Sequence, residues 1–160
     1  MRNAADEYLY NQVMTATPER LHLMVVDASL RFARQAADAM REGKIDLAYS
    51  ALNRSRACVN EMALSVNADP NPELAGQFKA LLAYVYKNLA LADFRRDVSL
   101  IEESIRILEI HRETWVELLG RLSQEQGILP VQSVPLNPQQ GRPLPPAYGD
   151  TDESQLSLVG

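Results

Sequence analysis

The two histidines and the acidic residues beside them are the side chains of this sequence best placed to bind a metal. Glu19 and His22 stand three positions apart at the start of a predicted helix. This is the Glu-x-x-His spacing of two-metal sites in helical bundles. Such a site needs a second copy of the pair, and Leu108 rather than an acid precedes His111 by three positions. The spacing therefore predicts no metal site, no cofactor and no catalytic residue.

Cys58 is the only cysteine, so the chain can form no internal disulfide and suits a reducing compartment such as the cytoplasm. A lone cysteine within a helical apolar pattern is usually a small core residue. A nucleophilic role would need a histidine partner, and no motif supplies one. Glycine-rich phosphate loops and Gly-x-Ser-x-Gly sequences are also absent. These observations favour a protein that binds over one that catalyses.

Composition and charge narrow the range of partners. The chain has 160 residues, of which 46% are hydrophobic and 23% charged, and its net charge is -5. Its basic residues are scattered and form no stripe, which argues against nucleic-acid binding. The longest apolar run, Ala80–Tyr86, is far shorter than the roughly 20 residues of a membrane span, and the N-terminus lacks the apolar region of a signal peptide. We expect a soluble, cytoplasmic protein without membrane insertion.

Four segments carry apolar residues at three- and four-residue spacing, and local signals mark where each begins or ends. Thr17 and Asn71 are helix caps followed by Pro and Glu, Gly43 ends the first segment, and Asp97 caps the last. The predicted helices cover residues 18–41, 45–67, 72–95 and 98–122. No segment shows the alternation of a strand.

The same spacing predicts which helix faces are buried. The first helix carries two stripes, and a helix with so wide an apolar surface is expected to be largely buried. One stripe contains Leu21, Val25, Ala28, Phe32, Ala36 and Ala39, and the other contains Leu23, Val26, Leu30, Ala33, Ala37 and Met40. On the third helix the stripe contains Leu74, Phe78, Leu81, Val85, Leu89 and Ala92.

Short connections between these helices predict the fold and the domain limits. Consecutive helices joined by few residues become antiparallel neighbours. We therefore expect an all-α protein in which residues 17–126 form an antiparallel up-down four-helix bundle. Residues 127–160 are rich in proline and polar residues, which predicts a disordered tail that serves as a linker or as a docking motif. Residues 1–16 precede the bundle as an N-terminal arm.

More apolar residues are present than the core stripes require. Those off the main seams are Leu47, Ala51, Cys58, Tyr84, Leu91, Ile107 and Ile110. They indicate either an unusually thick core or a groove that binds a partner, for which an amphipathic helix is a natural occupant. Tyr8, Tyr10 and Val13 make the arm apolar as well. The arm is thus either a removable lid over the groove or an ordinary strap.

Several segments resemble one known family, in the same order along the chain. The opening stretch from Tyr10 to Leu21, with its Thr-Ala-Thr-Pro sequence, resembles the beginning of the flagellar secretion chaperone FliS family. The similarity extends over residues 8–120. It also includes Leu23-Met24, Asp27 to Phe32, Glu61-Met62, Ser65-Val66-Asn67, Leu81, Tyr84, Leu89, Ala92, Asp97 and Trp115.

This resemblance implies a binding function without catalysis. Members of the family bind the C-terminal part of newly made flagellin, prevent its premature polymerisation in the cytoplasm and assist its delivery to the flagellar export apparatus. The flagellin segment packs around the chaperone, and the N-terminal segment can cover part of the site. The alternative is a structural helical bundle that forms homo-oligomers through its surplus apolar surface.

Overall fold

A computed structural model describes residues 3–125 and 127, and every regular element among them is an α-helix. The helices are α1 (Ala4–Thr15), α2 (Pro18–Arg41), α3 (Ile45–Leu64), α4 (Pro72–Arg95) and α5 (Val98–Glu125). In this part of the chain no helix has both the length and the apolar character needed to cross a bilayer. The predicted disordered tail lies outside the described residues, except for Gly127.

The predicted helix caps are present. The side chains of Thr17 and Asn71 accept hydrogen bonds from backbone N–H groups in the first turns of α2 and α4. Asp97 accepts from the backbone N–H and the hydroxyl of Ser99, and these hydrogen bonds lower the pKa of its carboxyl. Gly43 has a positive φ of 72°, and two backbone hydrogen bonds that reach back into the last turn close α2 around it. Local chemistry therefore sets these boundaries.

Two helix ends differ from the prediction. α3 ends at Leu64 rather than at residue 67. Ser65 is the C-cap: its backbone is still helical and its N–H donates to the carbonyl of Glu61, while its hydroxyl donates to the carbonyl of Met62. Asn67 then accepts a hydrogen bond from the backbone N–H of Asp69, which forms a turn instead of a further helical residue. α5 continues to Glu125, beyond the predicted 122, since no proline or glycine lies between Leu122 and Gly127.

The N-terminal arm contains a fifth helix that the apolar pattern did not predict. Asn3 caps α1 by accepting from the backbone N–H of Asp6, and Asp6 and Glu7 place negative charge at the positive end of the helix dipole. None of its residues is buried. The cap and the acidic first turn are visible in the sequence. The prediction followed the apolar residues of the arm instead and described it as a lid or a strap.

Helices α2 to α5 enclose one hydrophobic core. α2 packs against α3 and α5, and α4 packs against the same two helices. The core cluster contains Val26, Leu30, Ala33, Ala36, Ala37, Ala39, Met40, Ala48, Ala51, Leu52, Val59, Met62, Leu82, Val85, Leu89, Ala92, Ile101 and Leu108. On α2 the buried seam is mainly the second predicted stripe, and Leu21, Ala28 and Phe32 of the first stripe are only half-buried. Both stripes of α2 are apolar enough to be buried, so packing against the other helices decides which of them faces the core.

A buried serine pair holds α2 close to α3. Ser29 and Ser55 are fully buried, and their hydroxyl oxygens lie 3.1 Å apart. The hydroxyl of Ser55 also donates to the backbone carbonyl of Ser29 at 3.0 Å. Contact between a hydroxyl and the facing backbone is possible only where two helices approach closely. Two small residues at this position therefore fix the separation of α2 and α3.

Charged pairs connect α2 to α5 along their length. Asp27 pairs with Arg112, Arg34 with Glu109, and Arg41 with Glu102. As the residue numbers increase along α2, the residue numbers of their ion-pair partners on α5 decrease. All of these side chains are partly exposed, so each pair contributes at most about 1 kcal/mol to stability. Their main effect is on the alignment of the two helices.

Candidate functional site

Three of the predicted binding residues lie along the side of α3 that faces α2. Leu47 and Ala51 line a groove of about 470 Å³ together with Gln35 and Ala39 of α2. Ala51 is buried as part of the core cluster, whereas Leu47 is 60% exposed. Cys58 is half-buried farther along α3. We call the surface lined by Gln35, Ala39, Leu47 and Ala51 the α2–α3 groove.

The thiol of Cys58 is not arranged for catalysis. Burial raises the pKa of Cys58, and the positive charge of nearby Arg31 offsets that rise only in part. A thiol with a raised pKa is protonated near neutral pH and is a poor nucleophile. Cys58 is therefore a small, half-buried apolar residue of α3.

The predicted residues of α4 and α5 form a second surface, the α4–α5 face. Tyr84 is exposed, and its hydroxyl donates to the Glu103 carboxylate at 2.8 Å. Ile110 is 65% exposed. Leu91 and Ile107 are half-buried, and Ile107 packs against the core. This face thus exposes the aromatic side chain of Tyr84 and the aliphatic side chain of Ile110, together with the half-buried Leu91 and Ile107.

The structure does not join these residues into a single groove. Because α2 and α4 each pack on both α3 and α5, the α2–α3 groove and the α4–α5 face open on different sides of the helix assembly. A partner that contacts both has to extend around the helices. Sequence spacing cannot reveal this separation, since it gives the exposed side of each helix but not which helices are neighbours.

The α1 helix carries the remaining predicted residues. Tyr8 is 67% exposed, and its hydroxyl accepts a hydrogen bond from the Gln12 side chain. Tyr10 and Val13 are also exposed, and α1 has no extensive contact with α2–α5. The arm therefore covers neither apolar surface in this structure.

An aromatic cluster that the sequence did not predict lies near the start of α2. His22 packs against Trp115 of α5 with ring centroids 4.5 Å apart, and Phe78 of α4 stacks on His111 at 4.6 Å. The indole N–H of Trp115 donates to the backbone carbonyl of Glu19. A groove of about 530 Å³ borders His22, Phe78 and Trp115. The cluster lies close to the point where α1 joins α2.

The two histidines pair with each other across α2 and α5. Their Nε2 atoms are 2.8 Å apart, so one ring donates its N–H and the other accepts. Burial, and to a lesser degree the neighbouring His22, lowers the pKa of His111 to about 4, and burial also lowers the pKa of His22. Both rings are therefore neutral at pH 7. Glu19 and Glu61 are the carboxylates that border the grooves beside His22.

We expect acidification to destabilise the protein through this pair. The unfolded chain has histidine pKa values near 6.5, so between pH 6.5 and about 4 it binds more protons than the folded protein. The free energy of unfolding should fall by about 1 kcal/mol from pH 7.5 to 5.5, after allowance for solvent around half-buried rings. Urea titrations at both pH values measure this change, and H22Q/H111Q should remove most of it. An equal pH dependence in the double variant would contradict the assignment.

The described residues contain no cluster of three or more His, Cys, Asp or Glu side chains that could hold a metal ion. His22 meets His111, and Glu19 and Glu61 border the grooves beside it, but the part of the chain that the structure describes brings no three such side chains together. Exposed apolar residues on two faces, over a well-packed helical core, are typical of proteins that bind other polypeptides.

Comparisons with known proteins agree with a binding role. The family model for flagellar protein FliS matches residues 1–121, and the chain belongs to this family. It is 27% identical over 119 residues to the flagellar secretion chaperone FliS of Bacillus subtilis (strain 168), across 74% of this chain and 88% of the relative. The resemblance found in the sequence is thereby confirmed.

Proposed function

We propose that this protein is a cytoplasmic flagellar secretion chaperone that binds the C-terminal segment of flagellin. In this role it prevents premature polymerisation and assists delivery of flagellin to the flagellar export apparatus. The observation that carries the proposal is the exposed apolar surface on two sides of the helix assembly, in a chain of the FliS family. Family membership supports the chaperone role, and the exposed apolar surfaces support binding of a polypeptide there.

We also propose that α2–α5 form an antiparallel four-helix bundle. Its support is the order of the ion pairs, in which Asp27, Arg34 and Arg41 meet successively lower positions on α5. The closed set of neighbours, with α2 and α4 each between α3 and α5, has the connectivity of such a bundle.

A client that contacts both faces explains why the protein exposes apolar residues on two separate sides. A client that places one segment in the α2–α3 groove and another on the α4–α5 face covers Leu47 and Ile110 together. Burial of apolar surface releases about 25 cal/mol per Å², and the same client faces are then unavailable for filament contacts. The proposed function is binding alone, without cofactor or catalysis.

The role of α1 follows from where its apolar residues lie. An arm that acted as a lid in the free protein would bury Tyr8 or Val13 against a groove, but both are exposed. We therefore propose that α1 contacts the client directly. Removal of residues 1–16 should weaken client binding, whereas a lid would make binding tighter on removal.

Titration calorimetry with the C-terminal flagellin segment from the same organism tests the proposal. We expect one-to-one binding with a negative heat-capacity change, and L47D and I110D should each weaken it at least about tenfold by placing a charge on an apolar face. L118D is the matched control, because Leu118 is an exposed leucine of α5 outside the predicted set. We expect L118D to stay within about threefold of the parent affinity.

Absence of binding to the unaltered protein would contradict the chaperone assignment. Light scattering over a range of protein concentrations then tests the alternative, in which the apolar faces form a homo-oligomer. Equal losses in L47D, I110D and L118D would contradict the placement of the client on the two named surfaces.

A further inference from the structure

A groove of about 530 Å³ lies beside the aromatic cluster, at the end of α2 and α3 opposite to the α2–α3 groove. Most of its lining is apolar or aromatic and comes from Pro18, His22, Val66, Pro70, Phe78 and Trp115. Trp115 is only half-buried, so part of its indole ring remains accessible. We call this surface the aromatic groove. An accessible tryptophan beside an apolar groove is a surface on which another polypeptide can pack.

The charges at the aromatic groove all have the same sign. Glu19 lines it, and Glu61 lines an adjoining groove of about 250 Å³. Pro18, His22 and Ser65 are common to both grooves. No lysine or arginine lines either of them, and His22 is neutral at pH 7 because burial lowers its pKa. Within the described residues neither Glu19 nor Glu61 belongs to an ion pair, so the aromatic surface adjoins two carboxylates that no cation there neutralises.

This chemistry argues against α1 or a second copy of the chain as the occupant. α1 ends two residues before Pro18, but Asp6 and Glu7 are its only charged residues, and the two carboxylates would repel them. No residue of α1 lines the groove. A second copy is also disfavoured, since the chain carries a net charge of -5. The suitable occupant is a basic segment of a different polypeptide.

We propose that the aromatic groove takes a basic side chain of the client, arginine above all, together with the apolar residues beside it. The indole N–H of Trp115 donates to the backbone carbonyl of Glu19 at 2.8 Å, so the ring and this acidic residue are neighbours in one wall. A guanidinium can stack on an indole, the strongest aromatic partner for a cation, and donate to a carboxylate at the same time. The apolar neighbours of the basic residue pack on Phe78 and Val66. This inference rests on the proposed function and adds a third client position with the chemical class of residue that occupies it.

Isosteric removal of the two charges tests the inference. In calorimetry with the C-terminal flagellin peptide, E19Q/E61Q should weaken binding about tenfold at low salt, and the affinity of this variant should depend less on salt than that of the unaltered protein. The matched control is E73Q/E113Q, which removes two exposed carboxylates that line neither groove and should stay within about threefold. Circular dichroism and urea unfolding check that both variants are folded.

Trp115 reports directly on the groove, because it is the only tryptophan of the chain. A client peptide without tryptophan should change the fluorescence emission of Trp115 over the same concentrations at which calorimetry measures binding. Each Lys and Arg of the peptide is then replaced by Gln, one at a time. At one position the replacement should weaken binding to the unaltered protein about tenfold and have little effect on binding to E19Q/E61Q, because the two changes remove the same interaction.

The possible results separate this inference from the proposed function. Normal affinity in a folded E19Q/E61Q, or peptide binding that leaves the fluorescence of Trp115 unchanged, would overturn the inference and leave the chaperone proposal intact. A fluorescence change that follows protein concentration alone would assign the groove to a second copy and would also overturn it. No binding by the unaltered protein would remove both proposals.

Discussion

Replacement of Leu82 by alanine is expected to lower the free energy of unfolding by about 3 kcal/mol, whereas the same change at Leu81 should cost less than about 1 kcal/mol. The two leucines are neighbours on α4, but Leu82 is 2% exposed and Leu81 is 39% exposed. Leu82 faces Val59 and Ala63 of α3, so its removal leaves a cavity in the core. Solvent already reaches Leu81, and its loss leaves no comparable void.

Urea unfolding at pH 7.5, followed by circular dichroism, measures both changes. Each variant serves as the control for the other, because helix propensity and chain position are nearly the same. Equal losses at the two positions would show that α4 is rotated relative to this structure. A larger loss for L81A would support the stripe that the sequence predicted.

Replacement of Ser29 by leucine is expected to destabilise the protein by about 3 kcal/mol or more. The side chain is fully buried where α2 approaches α3, and its hydroxyl lies 3.1 Å from that of Ser55. Leucine adds volume that the contact cannot accept and leaves the Ser55 hydroxyl with one partner fewer. The matched control, S50L, introduces leucine at an exposed position of α3 and should change stability by less than about 0.5 kcal/mol.

A double-mutant cycle separates the hydrogen bonds from the packing. S55A should cost about 1 kcal/mol, because it removes the donor to the Ser29 carbonyl and the hydroxyl that faces Ser29. S29A/S55A should cost less than the sum of the single changes, since neither hydroxyl is then left without its partner. Strict additivity, or an S29L variant as stable as the parent, would contradict the close contact of the two helices.

Local signals in the sequence were sufficient to place most helix boundaries. Thr17 and Asn71 cap α2 and α4 as predicted. Their side-chain oxygens accept hydrogen bonds from backbone N–H groups three residues later, so the cap depends only on residues within one helical turn. α1 was missed, although Asn3 and the acids after it form the same kind of cap. The apolar residues of the arm suggested a strap, and a helix with no buried face gives no periodic signal.

The predicted binding residues differ in their exposure. Leu47 and Ile110 are exposed as a binding role requires, whereas Ala51 belongs to the core. The prediction could not separate the two faces, because contacts between helices depend on their order around the core. It also missed the stacking of Arg31 and Arg54 on Phe32, which brings together side chains from α2 and α3.

The sequence by itself determined the all-helical fold, the positions of the caps and the family to which the chain belongs. These features depend on residues within a few positions of each other, or on their order along the chain. Tertiary structure alone decided that Leu82 rather than Leu81 is buried, that His22 meets His111, and that the apolar surplus divides into two faces. Both leucines fit a helical repeat of 3.6 residues, and only packing against α3 distinguishes them.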